Sequence, residues 1–298
     1  MKRISIGSWA YSIGPYENEP VGWTEVIETL AKLGFDGVEV GGFSIHPSPE
    51  TMPGKEERAA VKKQAADLGI GLSGFVPNLW GEQLLNTEDT SAYVAAFKQG
   101  LEFAVDIGTQ AIRVDCVQEP GILEGADYDT VKNRLVKTWQ ECSKMAADQG
   151  CYVTWEFEPG FAFNKPSDIV RIVEEVNEDN FGLEFDTCHG EMVAKGSRQI
   201  GTPEVLEGGC LELAQMLRGK INHIHLIDSD GTLHHDETSA HPPFGDGYLN
   251  FDEIVPELLK NDTGHDWWTI DLCFWPDAWN LTERCKKAVD ELNVKYCS

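Results

Sequence analysis

Short runs rich in β-branched and aromatic residues alternate along the chain with longer stretches of helical periodicity. The pattern predicts strands at 4–10, 37–41, 70–76, 111–116, 152–158, 181–186, 223–228 and 268–273. Helical patterns fall between them, at 22–33, 54–67, 91–107, 128–149, 167–176, 203–218, 251–259 and 279–293. Gly34, Gly69, Gly108 and Gly150 each stand where a helix ends and a strand is about to begin. Eight strand–helix units over 298 residues, with no break in composition, predict a single-domain α/β fold, a (β/α)8 TIM barrel spanning 1–298. A doubly wound sheet should carry a glycine-rich phosphate turn after its first strand, and GSWAYSIGPY is not GxGxxG.

Within each strand the side chains alternate faces. Val153, Trp155 and Phe157 oppose Thr154, Glu156 and Glu158, and Phe181, Leu183 and Phe185 oppose Gly182, Glu184 and Asp186. Ile112 and Val114 oppose Arg113 and Asp115, Ile224 and Leu226 oppose His223 and His225, and Trp268, Ile270 and Leu272 oppose Thr269 and Asp271. Helices cover the outside of a barrel, so the apolar face is the outer one. The inner face is then polar, and acidic toward the C-terminal ends of the strands. Carboxylates converging on one small volume repel each other, and a divalent cation relieves that repulsion. Glu156, Asp186 and Asp271 with one neutral histidine make a set of one nitrogen and three oxygens. That set suits Mn first, and also Mg, Co or Zn. The competing reading is a set of isolated rim charges or internal ion pairs, such as Arg113 with Glu184.

Composition removes several classes of partner. The formal charge is −26 and the pI about 4.5, which opposes nucleic acid and anionic membrane surfaces. No apolar run approaches membrane-spanning length, and the N-terminus lacks the apolar core of a signal peptide. The eight cysteines form no CxxC pair and read as free thiols of a reducing compartment, so a cytoplasmic protein is expected.

GFDGVEVG, TWEFEPG, EFDTCH, HIHLID and PFGDGYLNFDEIV occur in this order along the chain. Together they resemble the xylose isomerase-like TIM-barrel superfamily, the sugar isomerase and epimerase group with its ketose 3-epimerase and inosose-enzyme relatives. The resemblance implies one metal held by Glu156, Asp186, His225 and, where the family usually has Glu, the shorter Asp271. It also implies Glu156 and Asp271 as catalytic acid–base groups, and substrate contacts at His189 and Glu158. His223 lies roughly 6.6 Å below His225 along the strand, a layer deeper, where Glu184 and Arg113 are also expected.

The implied reaction is isomerisation or epimerisation of a sugar, by proton removal beside a carbonyl through a metal-stabilised enediolate. The alternative is a metal-dependent lyase or dehydratase acting on a keto-sugar, keto-inositol or 3-keto-glycoside; a third reading is sugar binding without catalysis. The apurinic endonucleases of the same superfamily need extra histidines on strands three and four, which are absent here. The expected partner is a small sugar or sugar derivative, and the resemblance admits a homo-oligomer. Asp228 and His46 are further expected substrate contacts, and Trp9, Tyr11, Phe75, Trp275 and Trp279 are expected aromatic walls. Residues 229–247 are expected to form a rim loop over the site, with His234, His235 and His241 as solvated loop histidines.

Overall fold

The computed structural model describes residues 1–261 and 265–297. The barrel strands are β1 (Arg3–Ile6), β2 (Gly37–Gly41), β3 (Gly71–Val76), β4 (Ala111–Val114), β5 (Tyr152–Glu156), β6 (Phe181–Asp186), β7 (Ile221–Leu226) and β10 (Trp267–Ile270). A small hairpin, β8 (Leu233–His234) and β9 (Thr238–Ser239), lies between β7 and β10. The helices are α1 (Trp23–Lys32), α2 (Lys55–Asp67), α3 (Ser91–Ile107), α4 (Tyr128–Ala147), α5 (Pro166–Val176), α6 (Thr187–Ala194), α7 (Gly209–Met216), α8 (Phe251–Leu258) and α9 (Ala278–Cys297).

The eight barrel strands form one sheet in the order β1-β10-β7-β6-β5-β4-β3-β2, and every pairing is parallel. A single parallel bridge, Gly7 to Glu39, brings its two edges together. The molecule is therefore a single-domain (β/α)8 barrel. Among the described residues no helix is long and apolar enough to cross a membrane.

The apolar strand face is buried under the helices, as alternation requires. Trp155 of β5, for example, packs on Trp139 of α4 with ring centroids 5.0 Å apart. The polar face is equally buried, so the barrel interior holds charge rather than the usual branched apolar side chains.

Three local departures from the predicted pattern shape the site. The first strand stops at Ile6, and a 3-10 turn over Ser8–Tyr11 follows. A Cβ on Gly7 would stand 2.3 Å from the Trp9 indole, so only glycine lets Trp9 fold back over the strand end. Helix α6 forms where the sequence pattern predicted no helix, because Asp186 caps it by accepting from the His189 backbone N–H (2.7 Å). Gly190 lets α6 lie against Phe185, where a Cβ would come within 3.0 Å of the ring. The helix expected over 203–218 shrinks to α7, since Pro203 and Gly208 interrupt its first turns.

The β2–β3 pairing slips between Val38 and Glu39, so that Glu39 stands opposite Gly74. A Cβ on Gly74 would meet Glu39 Oε1 at 2.7 Å and the Ala111 Cβ at 3.2 Å. Gly74→Ala is therefore expected to destabilise the fold by about 1–3 kcal/mol. Chemical denaturation checks this: the midpoint should fall while the slope stays unchanged.

Candidate active site at the barrel mouth

Glu156 closes β5, Asp186 closes β6, His225 is the penultimate residue of β7, and Asp271 follows β10. One ligand atom from each lies within 4.8 Å of the other three, and all four side chains are buried. The two histidines of β7 also sit at different depths as expected: His225 reaches this group, and His223 does not.

Each carboxylate has one oxygen tied to the protein. Glu156 Oε2 is paired with Arg113 Nη1, while Oε1 has no hydrogen-bond partner. Asp186 Oδ1 caps α6, while Oδ2 has no partner. Asp271 Oδ1 accepts from Trp9 Nε1 (2.8 Å) and the Cys273 N–H (3.0 Å), and its Oδ2 lies 3.7 Å from His241 Nε2. His225 Nδ1 lies 3.1 Å from Glu156 Oε1, yet neither atom makes a hydrogen bond. Buried polar atoms are rarely left in this state. Three unpartnered atoms and a free carboxylate oxygen, one nitrogen and three oxygens in all, fit a divalent cation.

Glu156 and Asp271 line part of a cavity of about 440 Å³ that opens at the barrel mouth, and Asp186 and His225 lie behind its wall. Its walls include Trp9, Phe43, Trp80, Phe161 and Phe274, with Arg113, Glu158, His189 and His241 on the polar side. Residues 229–247 do pass over the mouth. Thr238 donates to Glu158 Oε2 (2.6 Å), Ser239 Oγ bonds His189 Nδ1 (2.9 Å), and His234 stacks on Phe274 at 4.7 Å.

The electrostatics follow from burial and neighbours. Burial works against the Glu156 charge, but Arg113, His225 and His189 together outweigh it and hold this carboxyl well below its usual range. Burial, then the Glu156 charge, pushes Glu158 up to about 8. Burial lowers His189 to about 4. Burial also opposes a charge on His241, but Asp271 and Asp186 prevail and push it up to about 9.

A family model, xylose isomerase-like TIM barrel, matches residues 27–293. The chain belongs to that family. It is 23% identical over 280 residues to an inosose dehydratase of Histophilus somni (strain 129Pt), covering 82% of this chain and 85% of the relative. Among solved structures, a D-tagatose 3-epimerase-like protein superposes with a TM-score of 0.73 at 18% identity, over 99% of both chains. The IOLI protein, solved with a bound zinc atom, superposes with a TM-score of 0.73 at 19% identity, also over 99% of both chains. At these identities the structural likenesses establish the fold.

Within this xylose isomerase-like barrel, Trp9, Glu158 and His189, expected as substrate contacts, line the cavity. Two expected contacts do not. Asp228 is buried with its carboxylate accepting from the backbone N–H groups of Ser229, Gly245, Gly247 and Leu249, and so it anchors the Gly-Asp-Gly turn. His46 is buried away from the cavity, where its Nε2 donates to the Val21 carbonyl (3.0 Å). Of the expected aromatic walls only Trp9 lines the cavity. Tyr11 bonds Thr282 and packs on the half-buried Trp279, and Phe75 packs on Phe103 within the core. Arg113, expected beside Glu184, instead pairs with Glu156, Asp115 (3.1 Å) and Glu158 (3.3 Å).

The sequence reading missed Glu39 and misjudged His241. Glu39 alternates with Val38 and Val40, the signal that marked the other inner residues. His241 is only 1% exposed, with both ring nitrogens unpartnered, and carries no periodic signal because it arrives on a loop.

His46 yields a pH prediction. Burial lowers its pKa from 6.5, so the folded protein resists a proton that the unfolded chain accepts. This group's contribution to stability is therefore lost as pH falls below about 6.5. His46→Gln keeps a donor for Val21, and the variant should lose less stability than wild type between pH 7 and pH 5, as urea denaturation at both values would show.

Proposed function

We propose that this chain is a divalent-metal-dependent sugar isomerase or epimerase, with Glu156, Asp186, His225 and Asp271 as the metal ligands. The observation that carries the reading is the paired state of the carboxylates, one oxygen tied and one free, around the unpartnered Nδ1 of His225. Mn is the metal best suited to the donor set, with Mg, Co or Zn also accommodated. A bound cation supplies Lewis-acid stabilisation of the charge that develops when a carbon beside a carbonyl loses its proton.

The chain's own residues supply the rest. Glu156, held ionised by Arg113, is fit to take that proton. Asp271 follows β10, which is separated from β5 by β7 and β6, and Trp9 fixes its orientation. It is placed to return a proton from a different side. Glu158 and His189 face the same cavity and bind hydroxyl groups of the substrate. The aromatic side chains cover the apolar face of the sugar and exclude water.

One observation favours a second reading. The inosose dehydratase of Histophilus somni is similar over most of its length, and proton abstraction beside a carbonyl also opens an elimination. In that reading the cavity's groups assist a departing hydroxyl instead of returning the proton. Manganese-loaded protein incubated with ketohexoses, inososes and 3-keto-glycosides separates the two. Products of unchanged mass support isomerisation or epimerisation, loss of water or aglycone supports the lyase, and no turnover of any substrate contradicts both.

His225→Ala is expected to abolish metal retention and His223→Ala to leave it measurable, as metal analysis after dialysis against manganese would show. The reverse pattern would mean that the ligand register assigned to β7 is wrong.

A further inference from the structure

Below the proposed metal ligands lies a carboxylate that the chemistry above does not use. Glu39 of β2 is 1% exposed. Its Oε2 accepts from His223 Nε2 (2.9 Å), His225 Nε2 (3.2 Å) and Thr269 Oγ1 (2.8 Å). Thr269 is in turn bonded to Ser5 Oγ (2.8 Å), and His223 Nδ1 lies 3.3 Å from the Tyr152 hydroxyl. Gly74 and the slipped β2–β3 register leave the space in which this carboxylate sits. The network joins β1, β2, β5, β7 and β10 across the barrel floor.

A neutral imidazole carries one N–H. The two nitrogens of His225 face different partners: Nε2 turns down to Glu39, its hydrogen-bond partner, with Glu184 Oε1 also 3.2 Å away, and Nδ1 turns up to the unpartnered oxygen of Glu156. Nε2 makes a hydrogen bond and Nδ1 makes none, so a single ring proton belongs on Nε2, which leaves the Nδ1 lone pair free. Carboxylates placed behind ligand histidines in this way fix the ring and raise its basicity.

We propose that Glu39 is the positioning residue of the site: it holds His225 as the Nε2–H tautomer, with Nδ1 directed at the cation. The inference rests on the metal reading of the mouth, but the tautomer can be measured without metal. His223 acts one step further back by holding Glu39. The same residues do not serve as a second cation site while His225 Nε2 donates to Glu39, since that nitrogen then has no lone pair to offer.

The test uses full-length protein with ¹⁵N-labelled histidine, freed of metal by a chelator. Two-bond ¹⁵N–¹H spectra report each ring's tautomer, and loss of a signal in His225→Gln assigns it. Zinc affinity is measured in parallel by competition with a chromophoric chelator. Once the pH is high enough for the ring to hold a single proton, wild type should show the Nε2–H form at His225. Glu39→Leu should lose that preference and bind zinc about 10–100-fold more weakly, with native circular dichroism. Glu39→Gln, which keeps an accepting oxygen, should fall between the two, and it replaces the leucine variant if that one fails to fold. An unchanged tautomer or unchanged zinc affinity in a folded Glu39 variant overturns the proposal. So does wild-type binding of two zinc ions per chain with one lost in the variant. A wild type with the Nε2–H form but no zinc affinity leaves the positioning intact and contradicts the metal reading instead.

Discussion

The barrel is organised around buried negative charge. Glu39, Asp115, Glu156, Glu158, Glu184, Asp186 and Asp271 are all at least 92% buried, and Arg113 is the arginine among them. Removing such groups from water costs several kcal/mol each unless charge and hydrogen bonds compensate. His189, His223, His225 and His241 supply part of that compensation. Burial still pushes the pKa of Glu184 well up, and both of its side-chain oxygens lack hydrogen-bond partners. A cation at the mouth would offset the charge of Glu156, Asp186 and Asp271. The same cation would then be both a structural counter-charge and a catalytic group.

Much of the surrounding structure serves to hold that charge in order. The cap on α6, the indole of Trp9 and the guanidinium of Arg113 each occupy one oxygen of a different carboxylate. Asp228 fixes the Gly-Asp-Gly turn that ends the segment over the mouth. That segment brings in Thr238, Ser239 and His241, so the site's polar wall depends on a loop and not only on strands.

The parts legible in the sequence were those that follow a period. Eight strands, their inner faces and the four residues expected to bind metal all come from period-two alternation combined with the expected position of strand ends. Glu39 obeys the same rule in GVEVG, and only its distance from the other carboxylates in sequence hid it. His241, the helix α6 and the true roles of Asp228 and His46 depend on loop paths, a side-chain cap and backbone hydrogen bonds. None of these leaves a periodic trace. Asp228 and His46 looked like ligand-binding groups because they are polar and close to strand ends, yet their partners are backbone atoms.

The claim that the acidic mouth is a cation site is tested most directly by anomalous diffraction from crystals grown with manganese. The expected result is a single strong peak about 2.0–2.2 Å from oxygen atoms of Glu156, Asp186 and Asp271 and from Nδ1 of His225. A peak among Glu39, Glu184 and His223 with none at the mouth, or no peak in the barrel at all, would contradict it.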